Sequence, residues 1–83
     1  MNKTLILVVE DDKSVQNLMV TTLRAHDYRY LTAVNAETAV LEASSHNPDI
    51  ILQELGLHDM DGIDIIKKIR TRHDVPIIVI RAT

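Results

Sequence analysis

Glu10, Asp11 and Asp12 close one apolar run, L5-I-L-V-V9, and Glu54 closes a second, I50-I-L-Q-E54. If both runs are neighbouring parallel strands, their carboxylates gather at one end of a sheet and repel one another unless a cation or a basic side chain neutralises them. Glu10, Asp11 and Glu54 are therefore candidates for a hard-cation site. Mg²⁺ suits such a site, because it takes oxygen ligands, retains several waters and usually arrives together with phosphate. Acids are also ordinary at helix starts, where they cap free N–H groups and favour the dipole. That reading accounts well for Asp12 and leaves Glu54, which follows a strand and precedes a loop, unexplained. Arg81, directly after the last apolar run, would add a fixed positive charge near the same acids. A bidentate pair with Glu54 or Asp11 would compete with the metal, and a solvated arginine is the plain alternative. Gln53 is unusual inside an apolar run, because a buried amide must find partners; an open or partner-covered face is the other place for it.

The elements that would position these residues follow from the pattern around them. Leu5 to Val9 reads as a buried strand, and Asp12 is a cap candidate for the next helix. Val15, Leu18, Met19, Thr22 and Leu23 recur at helical spacing and predict an amphipathic helix over about 13–26. Tyr28 to Val34 is β-branched and aromatic enough for a short strand. Asn35 then caps a helix whose inner face is Ala36, Ala39, Val40 and Ala43, small residues that allow close approach to a sheet. Asn47-Pro48 breaks that helix, since the residue before a proline is pushed out of the α region. A third strand runs from about 49 to 54. The stretch G56-L-H-D-M-D-G62 is a polar loop, and Asp61-x-x-Asp64 resembles a capping box for a helix turning Ile63, Ile66 and Ile69 inward. Asp74-Val75-Pro76 leads into a fourth strand, I77-I-V-I80.

Strand–helix alternation with short loops predicts right-handed crossovers and an all-parallel α/β sheet in a single domain over 1–83. Ligands of such sheets bind beyond the carboxyl ends of the strands, where Glu10, Asp11 and Glu54 are placed. No helix follows the fourth strand in the pattern. One sheet edge and part of one face are thus expected to be bare, in a fragment or in a chain that completes itself with a second copy.

Composition narrows the function classes. A domain of 83 residues buries only roughly 60–65% of its unfolded surface. With no Trp and no Phe, the core must be built from Ile, Leu, Val and Ala, which suits covered parallel strands. Nine Lys and Arg against twelve Asp and Glu give a net charge of -3, an unfavourable balance for nucleic acid or an anionic membrane surface. The absence of cysteine excludes disulfides and thiolate metal sites. The opening M-N-K-T-L-I-L-V-V is too short an apolar run for a signal peptide or a span, so a soluble cytoplasmic protein is expected. Gly56 and Gly62 serve turn geometry and not a phosphate-cradling loop, because no Lys-Ser/Thr follows them. His26, His46, His58 and His73 lack ligand spacing and read as surface residues. No nucleophile–base pairing emerges around Ser14, Ser44 or Ser45.

Three segments, V-V-E-D-D at 8–12, P-D-I-I-L-Q-E-L-G-L-H-D-M-D-G at 48–62 and V-P-I-I-V-I-R-A at 75–82, together resemble the receiver domain of bacterial two-component response regulators. L-G-L-x-D-x-D-G looks most like the subgroup with winged-helix DNA-binding output domains. The resemblance covers essentially the whole chain but about two thirds of a receiver domain. It implies a flavodoxin-like fold with four parallel strands in the order 2-1-3-4 and three helices, the fifth strand and last two helices missing. It also implies a sensor histidine kinase as partner of the full-length protein, and no enzyme activity. By the same resemblance Glu10 and Asp11 match the acidic pair that holds Mg²⁺, Asp11 directly and Glu10 through water. Glu54 matches the aspartate that is phosphorylated, the Gly56 carbonyl matches a third metal ligand, and Arg81 matches the switch Ser/Thr. His58 stands where a proline is usual and Gln53 where an apolar residue is usual, and the lysine after the fifth strand has no counterpart. These departures imply weakened Mg²⁺ binding and little or no phosphotransfer. The competing expectation is a self-assembling scaffold derived from a receiver half, a homo-oligomer built through the sheet edge or the uncovered face. A small Mg²⁺-dependent phosphatase using Asp11 and Glu54 is a distant third.

Overall fold

The chain alternates strand and helix because its aliphatic runs are too short for helices and are separated by capped, amphipathic segments. The computed structural model describes residues 3–54 and 62–80. In chain order these form β1 (Leu5–Val9), α1 (Lys13–Ala25), β2 (Arg29–Ala33), α2 (Ala36–His46), β3 (Ile50–Glu54), α3 (Gly62–Arg70) and β4 (Ile77–Ile80). All strand pairs are parallel and the order is β2-β1-β3-β4, as the alternation predicts. Leu7 lies opposite Leu31 on β2 and Ile51 on β3, and Ile51 opposite Ile77 on β4.

The helix boundaries are set by side chains that satisfy free backbone groups. The Asp12 carboxylate accepts from the Val15 N–H at 3.1 Å, and Asn35 Oδ1 accepts from the Thr38 N–H at 2.8 Å. At the other end of α2, Asn47 takes a left-handed conformation with φ 47, and its N–H donates to the Ala43 carbonyl. Asn tolerates that region better than most residues, so the helix breaks before Pro48, as the sequence predicts, and does so through a left-handed cap. Asp27, also left-handed at φ 61, turns the chain from α1 into β2. The Arg70 guanidinium donates to the carbonyls of His73 and Val75, which pins the connection from α3 to β4.

Because strand side chains alternate, the sheet has two inner faces. On one, Leu7, Val9, Ala33 and Ile51 pack against Ala36, Ala39 and Ala43 of α2 and Ile65 and Ile69 of α3. The small α2 stripe brings that helix close to the sheet. On the other, Ile6 and Val8 meet Leu23 of α1, with Met19, Tyr28, Tyr30, Ile50 and Leu52 partly covered around them.

Two helix faces differ from the periodicity reading. In α1 the buried residues are Gln16 and Leu23, while Leu18 is 68% exposed. In α3 the inward stripe is Gly62, Ile65 and Ile69; Ile63 is 55% exposed and Ile66 only half-buried. The run G-I-D-I-I-K-K-I supports two phases one residue apart, and burial of Gly62 against the sheet selects the second. Ile65→Ala is therefore expected to cost about 2–5 kcal/mol, as a buried aliphatic truncation, and Ile63→Ala about 0.5 kcal/mol or less. Urea unfolding of the two variants checks the phase, and similar losses at both positions would reject it.

Candidate functional site

The parallel register of β1 and β3 places the carboxylates. Val9 lies opposite Gln53, so Glu10 and Glu54, one residue further along each strand, end up side by side where neighbouring strands are about 4.8 Å apart. Alternation turns both toward the α1 face, in line with Ile6 and Val8 on one strand and Ile50 and Leu52 on the other. Both are buried, Glu10 at 2% exposure and Glu54 at 8%. Asp11 is half-buried, and Asp12 is exposed at the head of α1.

Glu10 is held at several atoms. Its N–H donates to the Ala33 carbonyl at 3.0 Å, which continues the ladder to β2. Its Oε2 accepts from the Asp12 N–H at 3.0 Å, and its backbone carbonyl accepts from Gln16 Nε2 at 3.3 Å. Its Oε1 is buried and receives no donor among the described residues. Burial raises the Glu10 carboxyl above the ordinary glutamate value; the Asp12 N–H opposes that rise, and the Asp11 side chain and the charge of Glu54 add to it.

Such a carboxylate lacks positive charge. The donor set is all oxygen, and one buried oxygen has no donor aimed at it, which fits a hard divalent cation. Among the described residues no group of three His, Cys, Asp or Glu side chains is gathered to cage an ion unaided. Mg²⁺ does not require that, since it is commonly held by one or two carboxylates and completed by water. Gly56, His58 and Arg81, singled out in the sequence, lie outside the described residues, as does Asp61 of the suggested capping box.

Two polar residues gain partners here. Gln53 is fully buried, and its Nε2 donates to the Gly62 carbonyl at 2.6 Å, so it occupies neither an open nor a partner-bound face. Gln16 was not singled out by its chemistry, yet it is 4% exposed and braces the Glu10 backbone. Its signal is positional: Gln16, Met19 and Leu23 share one helical stripe at i, i+3 and i+7.

Comparison with known proteins agrees with this fold. Residues 6–83 match the family model of the response regulator receiver domain. The transcriptional regulatory protein KdpE of Staphylococcus aureus is 43% identical over 93% of this chain and 33% of its own length. The KDP operon transcriptional regulatory protein KdpE of Escherichia coli is 37% identical over 95% of this chain and 35% of its own. The chain thus spans about a third of the length of these curated relatives. Among solved structures, the BeF3-activated N-terminal receiver domain of Klebsiella pneumoniae RstA superposes with a TM-score of 0.89 at 25% identity, covering 96% of this chain and 68% of that one.

The raised Glu10 carboxyl has a consequence for stability. The folded state binds this proton more tightly than the unfolded chain does, so Glu10's contribution falls as pH rises from the unfolded glutamate value through the higher folded one. Glu10→Gln keeps an acceptor for the Asp12 N–H and removes the titration. Denaturant unfolding at a series of pH values should show that variant to be more stable than the parent at neutral pH, with the advantage shrinking as pH is lowered through that window. A constant difference would show that Glu10 does not titrate there.

Proposed function

The chain belongs to the response regulator receiver domain family, and on that premise we propose that it is the receiver unit of a two-component response regulator controlling transcription, with phosphotransfer impaired at Glu54. The observation that carries this reading is the burial of Glu10 and Glu54 together at the carboxyl ends of adjacent parallel strands. Asp11 and Glu54 would hold Mg²⁺ directly, Glu10 would do so through water, and the Gly56 carbonyl would supply a further ligand. Bound there, the ion would neutralise charge on a phosphoryl group and on the carboxylates around it. A sensor histidine kinase is the corresponding phosphodonor partner in the whole protein. Among the described residues no helix is long and apolar enough to cross a membrane, which is compatible with a cytoplasmic location.

Phosphorylation at this position would be an in-line attack by a side-chain carboxylate oxygen on phosphorus, giving an acyl phosphate and releasing the donor's leaving group. Glu54 carries one methylene more than an aspartate, which displaces the attacking oxygen by roughly 1 Å; misplacement on that scale costs about 10²-fold. On this reading Asp11 and Glu10 would bind the ion and orient its waters, while the nucleophile would overshoot. Arg81, at the position of the switch hydroxyl, would give Glu54 a standing partner charge, so that the pair weakly imitates the phosphorylated state. Intact mass after incubation with acetyl phosphate and Mg²⁺ tests this. The parent should gain no phosphoryl group on a timescale over which Glu54→Asp gains one, with a rate difference of about 10²-fold. Modification of the parent at Glu54 at a comparable rate would overturn the impairment.

A second reading, a self-assembling scaffold, has its own support: Ile78 and Val79 on the edge strand β4 are 49% and 41% exposed. Such an edge favours pairing with another chain. On this reading, light scattering should show the mass doubling within the micromolar range, and Val79→Lys should abolish the dimer. A monomer throughout that range would remove the reading.

A further inference from the structure

We infer that Gln53 is a positioning residue: its amide ties the first turn of α3 to the strand that carries Glu54, fixing where α3 begins relative to the carboxylate pair. The inference builds on the reading of Glu54 as the site carboxylate. Gln53 occupies a central strand, opposite Val9 on β1 and Val79 on β4, and is fully buried. By alternation it shares its face with Ile51, within the cluster formed by Leu7, Val9, Ile65 and Ile69. An aliphatic side chain would fill that space, so packing alone does not call for an amide.

The amide is instead used at one end. Nε2 donates to the Gly62 carbonyl at 2.6 Å. A carbonyl oxygen has two acceptor sites, so this bond adds to the helical one that Gly62 offers to the residue four positions on. Gly62 is itself buried, and its lack of a Cβ lets the helix start within reach of the sheet. At the other end, Oε1 is buried and has no partner among the described residues. An amide kept in an apolar cluster with its acceptor unsatisfied is poorly explained as core filling, because an unpaired buried acceptor destabilises the fold. A tether explains it. Gln53 and Glu54 are consecutive and point to opposite faces, so one strand end presents the carboxylate toward α1 and grips α3 on the reverse side.

The test uses Gln53→Met, which preserves length and volume and removes the donor, with Gln53→Leu as a second apolar replacement. Both are examined without metal, so the outcome does not depend on whether the carboxylates take a cation. In both, hydrogen exchange at the Ile66 and Lys67 amides should quicken about five- to tenfold, while the Val8 amide and the unfolding midpoint stay unchanged or improve. The Gly62 carbonyl ¹³C resonance should move as its second donor is lost. In Gln53→Glu that resonance should lie near the methionine variant's when the carboxylate is ionised and return toward the parent's on acidification, as the protonated acid regains a donor. Exchange that changes uniformly with global stability, or a Gly62 resonance identical in parent and variants, would reduce Gln53 to a core residue and overturn the inference. If the tether holds and Glu54 still proves irrelevant to cation binding, the reading of the site fails while the positioning of α3 stands.

Discussion

Two glutamates buried on adjacent parallel strands repel each other through a medium that screens poorly, and the surrounding polar groups are arranged against that repulsion. The Asp12 N–H on Glu10 Oε2 offsets part of it. The Gln16 amide on the Glu10 carbonyl holds the chain in the course that brings the carboxylate there. The Glu10 carboxyl stays raised all the same, through its burial first and the charge of Glu54 only as a smaller addition. A proton or a cation relieves the same deficit, and only the cation does so without giving up the charge that would orient a phosphoryl group.

The two faces of the sheet do different work around this point. The face under α2 and α3 is built from nearly solvent-free aliphatic residues, Leu7, Val9 and Ile51 of the strands against the alanines and isoleucines of the helices, and it ties β1 to β3. The face under α1 is thinner, with Leu23 as its buried helical contribution among half-covered neighbours. Glu10 and Glu54 open onto this thinner face, while the strands that carry them are anchored from the tighter one. A firmly packed backbone and a buried carboxylate pair are thereby combined, because strand alternation separates what anchors from what carries the charge.

Strands and helix ends were legible because each apolar run is bounded by residues with a local mechanism: Asp12 and Asn35 as caps, and Asn47-Pro48 as a break whose left-handed form only the structure shows. The carboxylate pair was legible for a related reason, since a parallel register can be read from the run lengths that bring Glu10 and Glu54 to the same level. The helix faces were less so. I-D-I-I-K-K-I accommodates two inward stripes, and the choice depends on Gly62 docking against Gln53, a tertiary contact between residues nine positions apart. Gln16 escaped because burial of an amide is decided by whether a carbonyl waits for it, and the Glu10 carbonyl is brought there only by the turn between β1 and α1. Leu18 illustrates the converse: an apolar type at a helical spacing says nothing about which side of the stripe it falls on.

A switch requires a group whose interaction differs between two states, and this bears on what Glu54 does on the proposed reading. A phosphorylated aspartate gains charge and acceptor oxygens in one state only, so it biases an equilibrium by the difference. A glutamate carries the same carboxylate in both states and can favour one only by its standing contacts. The shift it produces is then fixed by sequence and not by a signal, unless a cation or a proton changes its charge. To move a population from 1:99 to 99:1 takes roughly 5.5 kcal/mol of differential stabilisation. A single carboxylate already compromised by its neighbour Glu10 is poorly placed to supply that much, so the position favours a weak constant bias over a complete active state. Whatever bias exists must pass through the ends of β3, where the carboxylate faces α1 and the Gln53 amide holds α3.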